Sequence, residues 1–97
     1  MNMKEIRKSL MTGKGSFIKS NHTRKRMEKR GYSNADIVAA IFNGTIVERQ
    51  GNTKVVIAGK DKDENPIVII LAQMAIDYFV IVTVMPPTDH TRFSDCI

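Results

Sequence analysis

Between residues 20 and 33 the chain reads SNHTRKRMEKRGYS, one histidine and five lysines or arginines around a single aliphatic residue, Met27. On a helix, at about 100° per residue, His22, Arg26, Lys29 and Arg30 share an arc of roughly 100°. One imidazole beside permanent cations is what metal-free cleavage of RNA requires. The imidazole takes the proton of a 2′-hydroxyl, and the cations stabilise the crowded, highly charged phosphorane. Arginine suits the second task because its planar fork meets a pair of phosphate oxygens at once. The plainer alternative is a partly buried His22 bonded to backbone beside surface arginines.

Thr83 interrupts the otherwise apolar run YFVIVTVM (78–85). A buried hydroxyl without a partner costs about 1–3 kcal/mol. Thr83 is therefore either satisfied within the core or aimed from a central strand at a phosphate held under the basic helix. Thr23, Lys29 and Lys54 are candidate substrate contacts. Tyr32 and Tyr78 offer rings on which a base could stack. His90 would be an alternative general acid, but it falls in a polar C-terminal tail that positions nothing rigidly.

Other chemistries fail on spacing. The stretch DKDEN (61–65) starts like a calcium loop, yet Pro66 stands where that loop needs glycine and Ala72 where it needs glutamate. Gly13, Lys14 and Gly15 lack the spacing of a phosphate loop and read as a turn. No histidine and cysteine cluster has zinc spacing, so neither a metal nor a cofactor is expected. Cys96 is the single cysteine, which excludes an intramolecular disulfide and suggests no catalytic thiol.

The elements that must position these residues follow from pattern. Ninety-seven residues with 42% hydrophobic content make one domain with a modest core, here expected over about 17–85 and followed by a tail at 86–97. The net charge of +5 is unevenly spread: residues 1–30 hold ten Lys and Arg against Glu5 and Glu28, whereas the remainder is net acidic. That asymmetry points to a polyanion approached from one side. A charged N-terminus without an apolar signal core, and apolar runs too short to cross a bilayer, give the expectation of a cytoplasmic protein without a membrane partner.

Met3, Ile6 and Leu10 space a short first helix. Phe17 and Ile18 read as an apolar staple before a helix capped at Ser20 or Asn21 and closed by Gly31. Ser33 and Asp36 outline a capping box for a third segment with Ile37, Val38, Ile41 and Phe42 on one face. From Thr45 the period becomes extended, giving four strands around 45–50, 53–59, 66–72 and 78–84, with the last two central and the first an open edge. The expected fold is α+β, with two or three N-terminal helices packed on a four-stranded antiparallel sheet.

The order His22, Arg26-Met27, Arg30-Gly31, Ser33-x-x-Asp36-Ile37, Gly44-Thr45-Ile46 and a closing IVTV (81–84) resembles the RelE-like small-domain family catalogued as a domain of unknown function. The resemblance spans about residues 18 to 85. It implies a fold related to the RelE, barnase and colicin-type ribonuclease toxins, with the RNA phosphate between helices and sheet. Matched residue by residue, it implies His22, Arg26, Arg30 and Thr83 as the catalytic set. The activity so implied is a metal-independent endoribonuclease acting on tRNA or ribosomal RNA, leaving a 2′,3′-cyclic phosphate. It would be bacterial or phage-encoded, held in check by an immunity or antitoxin protein, and in some settings delivered into a target cell's cytoplasm. The alternatives are a non-catalytic nucleic-acid-binding module and a protein-binding inhibitor or antitoxin-like partner.

Overall fold

The computed structural model describes residues 1–87, so His90 and Cys96 lie outside the described residues. Three helices come first or nearly so: α1 (Met3–Thr12), α2 (Asn21–Arg30) and α3 (Asn34–Asn43). Each begins where a polar side chain can take an orphan backbone N–H. Asn2 accepts from Glu5 N–H at 2.9 Å, Ser20 accepts from Thr23 N–H at 3.2 Å, and the Asp36 carboxylate accepts from the backbone N–H of Ser33 at 2.8 Å. Gly31 ends α2 at φ 78°, and Tyr32 N–H then reaches back to the Met27 carbonyl at 2.8 Å. Only a residue without a Cβ adopts that left-handed turn cheaply.

The sheet departs from the four-stranded antiparallel expectation. Among the described residues it has five strands, β1 (Ser16–Lys19), β2 (Thr45–Gln50), β3 (Lys54–Lys60), β4 (Pro66–Ala75) and β5 (Tyr78–Met85), in the order β1-β5-β4-β3-β2. The last four form the expected antiparallel meander, with β4 and β5 inside and β2 at an edge. The extra strand is parallel: Ser16 pairs with Tyr78 and Lys19 with Ile81. The residues expected to staple α2, Phe17 and Ile18, are thus strand residues, and the Phe17 ring stacks on Phe79 at 4.8 Å between centroids. A four-residue strand whose partner lies some sixty positions away carries no local alternation by which to be read.

All three helices cover the same face of the sheet. Ile6, Met27, Ile37, Ala40 and Ile41 pack there with Val55, Ile57, Ile69, Leu71, Phe79, Ile81 and Val84. Fully buried Ile6 extends the core upstream of the expected 17–85 span. The opposite face carries a smaller cluster, Val56 and Val68 with Ile70 and Met85, which no described helix residue joins.

Candidate nucleic-acid interface

Strand β1 covers only the first half of β5, so beyond Ile81 the outer edge of β5 has carbonyls without a strand partner. Such groups must be satisfied if buried. Helix α2 lies along this half-edge and supplies the donors. The Thr23 hydroxyl shares its one proton between the Val82 carbonyl at 3.0 Å and the Ile81 carbonyl at 3.3 Å, and Arg30 Nη1 donates to the Val84 carbonyl at 2.7 Å. Val82 and Val84 offer their oxygens on the same edge because carbonyl direction alternates along a strand. With Met27 between them, Thr23 and Arg30 make one inward stripe at positions i, i+4 and i+7. This is how a helix so poor in apolar residues docks: two side chains bond to strand carbonyls and one methionine enters the core.

The inward stripe fixes two flanks. Arg24 and Glu28 line a cavity with Lys19, Tyr32, Ser33 and Asn34, on the α3 side of the helix. His22, Arg26 and Lys29 occupy the other flank by helical spacing, toward the sheet face that the helices leave open. All three are exposed, and among the described residues none has a hydrogen-bond or ion-pair partner. The same holds for Arg24 and Lys25, so α2 presents unneutralised cations on most of its outer surface.

Which way Thr83 points is decided by a β-bulge. Phe79 and Ile81 face the helix-covered core, and strict alternation would send Thr83 there too. Instead the β4–β5 register slips between Leu71↔Ile81 and Ile70↔Thr83. The extra residue turns Val84 into the core and puts Thr83 beside Ile70 and Met85 on the open face. Thr83 is half-buried there, and its hydroxyl bonds to no described residue.

The register brings two further candidates to this face. Val55 is a core residue, so its neighbour Lys54 points the other way, and Lys54, Ala72, Val80 and Ile18 form one cross-strand row. Tyr78, adjacent to core residue Phe79, lies on the same face. His22, Arg26, Lys29, Thr83, Lys54 and Tyr78 therefore address one side of the molecule, with Arg30 at its rim. Thr23 does not: expected as a substrate contact, it is 2% exposed and engaged in docking α2. Ile18 and Val80 also belong to this surface and escaped the sequence reading, because only the parallel pairing of β1 sets their direction.

A second polar cluster has a different character. One carboxylate oxygen from each of Asp36, Asp61 and Asp63 lies within 4.8 Å of the others, a spacing that could hold a metal ion. Yet Asp36 accepts from Ser33 N–H, Ser33 Oγ and Lys62 N–H, and Asp61 accepts from the N–H groups of Asp63 and Asn65. These bonds tie the start of α3 to the β3–β4 loop. Burial pushes the Asp36 carboxyl up, but the Ser33 and Lys62 donors and the Lys62 charge together hold it below the ordinary aspartate value. The carboxylates of Asp36 and Asp61 thus close the loop against α3, while Asp63 contributes its backbone N–H and leaves its own carboxylate exposed.

A family model described as a domain of unknown function, DUF4258, matches residues 19–86, which hold all of α2, α3 and β2 to β5. No curated protein and no solved structure matches the chain. No described helix is long and apolar enough to cross a membrane.

Proposed function

We propose that this chain, which belongs to the DUF4258 family, is a metal-independent endoribonuclease of the toxin type, related to RelE and barnase. The observation that carries the reading is the β5 bulge, which turns Thr83 onto the same side of the molecule as His22 and Arg26 of α2, neither of which has a side-chain partner among the described residues. His22 is the general base that takes the 2′-hydroxyl proton as O2′ attacks phosphorus and the P–O5′ bond breaks, the departing 5′-oxygen taking a proton from water. Arg26 is the principal phosphate ligand, and Thr83 a hydroxyl donor to a non-bridging oxygen. Arg30 has a double duty. Its guanidinium is anchored on Val84, and its position beside the stripe adds positive charge to the phosphate site. The substrate is RNA, tRNA or ribosomal, and an immunity or antitoxin protein that shields the basic face is the natural restraint on such an activity.

The test is incubation of the protein and of His22→Ala with total tRNA and ribosomal RNA in EDTA, reading fragments and their 3′ ends. Cyclic-phosphate ends that vanish with the variant are the expected result. Activity that disappears only when metal is stripped would overturn the reading. A second reading, a binding module without catalysis, is favoured by one observation: no described group orients the His22 ring. It would show as retained RNA and no fragments.

A further inference from the structure

The sheet face that the helices leave uncovered continues past Thr83 toward the start of β5, from the buried cluster of Val56 and Val68 to more exposed side chains. Ile18 is 44% exposed and Tyr78 43% exposed, with half-buried Val80 between them in the weave of β1 and β5. Ile18 pairs with Val80, and Tyr78 stands two positions before it on the same side of the strand. Ile18 and Tyr78, diagonal neighbours across the β1–β5 pair, keep apolar surface in contact with water, and neither joins a core cluster with any described helix residue. On one side the strip runs by cross-strand pairing to Lys54, and along β5 it starts about 10 Å, or three residues, from Thr83.

We infer that Ile18, Val80 and Tyr78 form a stacking platform for an unpaired nucleobase, and that the ligand of this face is single-stranded RNA. This rests on the proposed nucleic-acid reading of α2 and adds the strand state of the ligand. Charge complementarity favours a polyanion: the His22, Arg26 and Lys29 flank bounds the face at one end and Lys54 borders the strip, with no described acid neutralising Arg26 or Lys29. A duplex keeps its bases stacked on each other and offers a sheet only phosphates and groove edges. A single strand can lay a base flat on the strip while its neighbouring phosphate meets α2.

Binding is measured by fluorescence anisotropy on the full chain carrying His22→Ala, with a short unstructured RNA oligonucleotide and with the same strand annealed to its complement. The single strand should bind more tightly than the duplex. Adding Tyr78→Ala or Ile18→Ser should weaken single-strand binding about tenfold, the scale of one lost base stack, while leaving the salt dependence unchanged. Tyr78→Phe should retain affinity, since the ring does the stacking, and thermal unfolding of each variant checks that the sheet is intact. Equal binding of duplex and single strand would overturn the inference, as would indifference to both substitutions in folded protein, or capture of acidic peptide but no RNA. The two readings separate cleanly. Platform-dependent binding without any cleavage by the His22 protein supports the platform and removes the ribonuclease, whereas cleavage that ignores Ile18 and Tyr78 does the reverse.

Discussion

At the start of α3 the Asp36 carboxylate meets three donors, while ten residues earlier on the flank of α2 Arg26 meets none among the described residues. Both are charged side chains on short helices packed against the same sheet. Their surroundings rank them differently. A charge whose hydrogen-bonding capacity is consumed by backbone is holding the fold together, and a charge left on an exposed flank beside others of its sign costs the fold a little repulsion. Self-repulsion that folding does not need is a reason to look for a ligand there. The same contrast runs within α2 itself, between Thr23 and Arg30 turned in and His22 and Arg26 turned out.

The largest effect should come from the flank and should leave the fold untouched. His22→Ala is expected to lower RNA cleavage by about 10²–10⁴-fold, the range of general-base catalysis, with the unfolding midpoint unchanged. Lys25→Ala, one helix position away from the flank and pointing outward, is the matched control. Equal losses for His22→Ala and Lys25→Ala would mean that the flank has no chemistry of its own and would erase the contrast.

Asp36 should behave in the opposite manner, with a cost in stability and none in RNA affinity. Asp36→Ala removes acceptors of charge-assisted bonds at the α3 N-terminus and the β3–β4 loop, which should cost about 2–3 kcal/mol in urea unfolding. The pH dependence has a definite sign. Because the folded-state carboxyl is held below its ordinary value, its contribution is fully present above about pH 4 and is lost as the pH falls through the ordinary aspartate range and below. The variant should lack that part of the acid-induced loss. A variant whose stability falls with pH as steeply as the parent would show that Asp36 is not the group responsible.

Thr23→Val tests the docking of α2. Its buried hydroxyl serves two β5 carbonyls and Ser20, so the nearly isosteric valine should destabilise by about 1–3 kcal/mol. Thr23→Ser should recover most of this. If Thr23 instead contacted substrate, valine would change RNA affinity and spare the unfolding midpoint.

Much of this arrangement was legible in the chain, because local rules governed it. The caps at Ser20 and Gly31, the Ser33 and Asp36 box, and the four-strand meander all come from side chains acting on neighbouring backbone, and they stand in the structure. Two features were out of reach. Strand β1 depends on pairing with β5 far along the chain, and the bulge at Val82 and Thr83 is a slip in register that leaves no mark on an apolar run. The consequences fall on the candidate site. The sequence could name His22, Arg26, Arg30 and Thr83, but the face on which Thr83 stands, the burial of Thr23 and the exposure of Ile18 all follow from those two nonlocal facts.

The smallest effect should be the most diagnostic of what α2 binds. Lys29 lies on the flank with His22 but bonds to nothing among the described residues, so Lys29→Ala should leave stability within about 0.5 kcal/mol of the parent. If it touches a phosphate, its loss removes one released counterion. The slope of log affinity against log salt should then become shallower by about 0.7 for a single strand, and affinities should converge at high salt. Tyr78→Ala should do the reverse, weakening binding equally at every salt concentration. A lysine that alters affinity without altering the slope would be acting on shape or hydration, and the division of this face into a charged end and a stacking end would fail on that measurement alone.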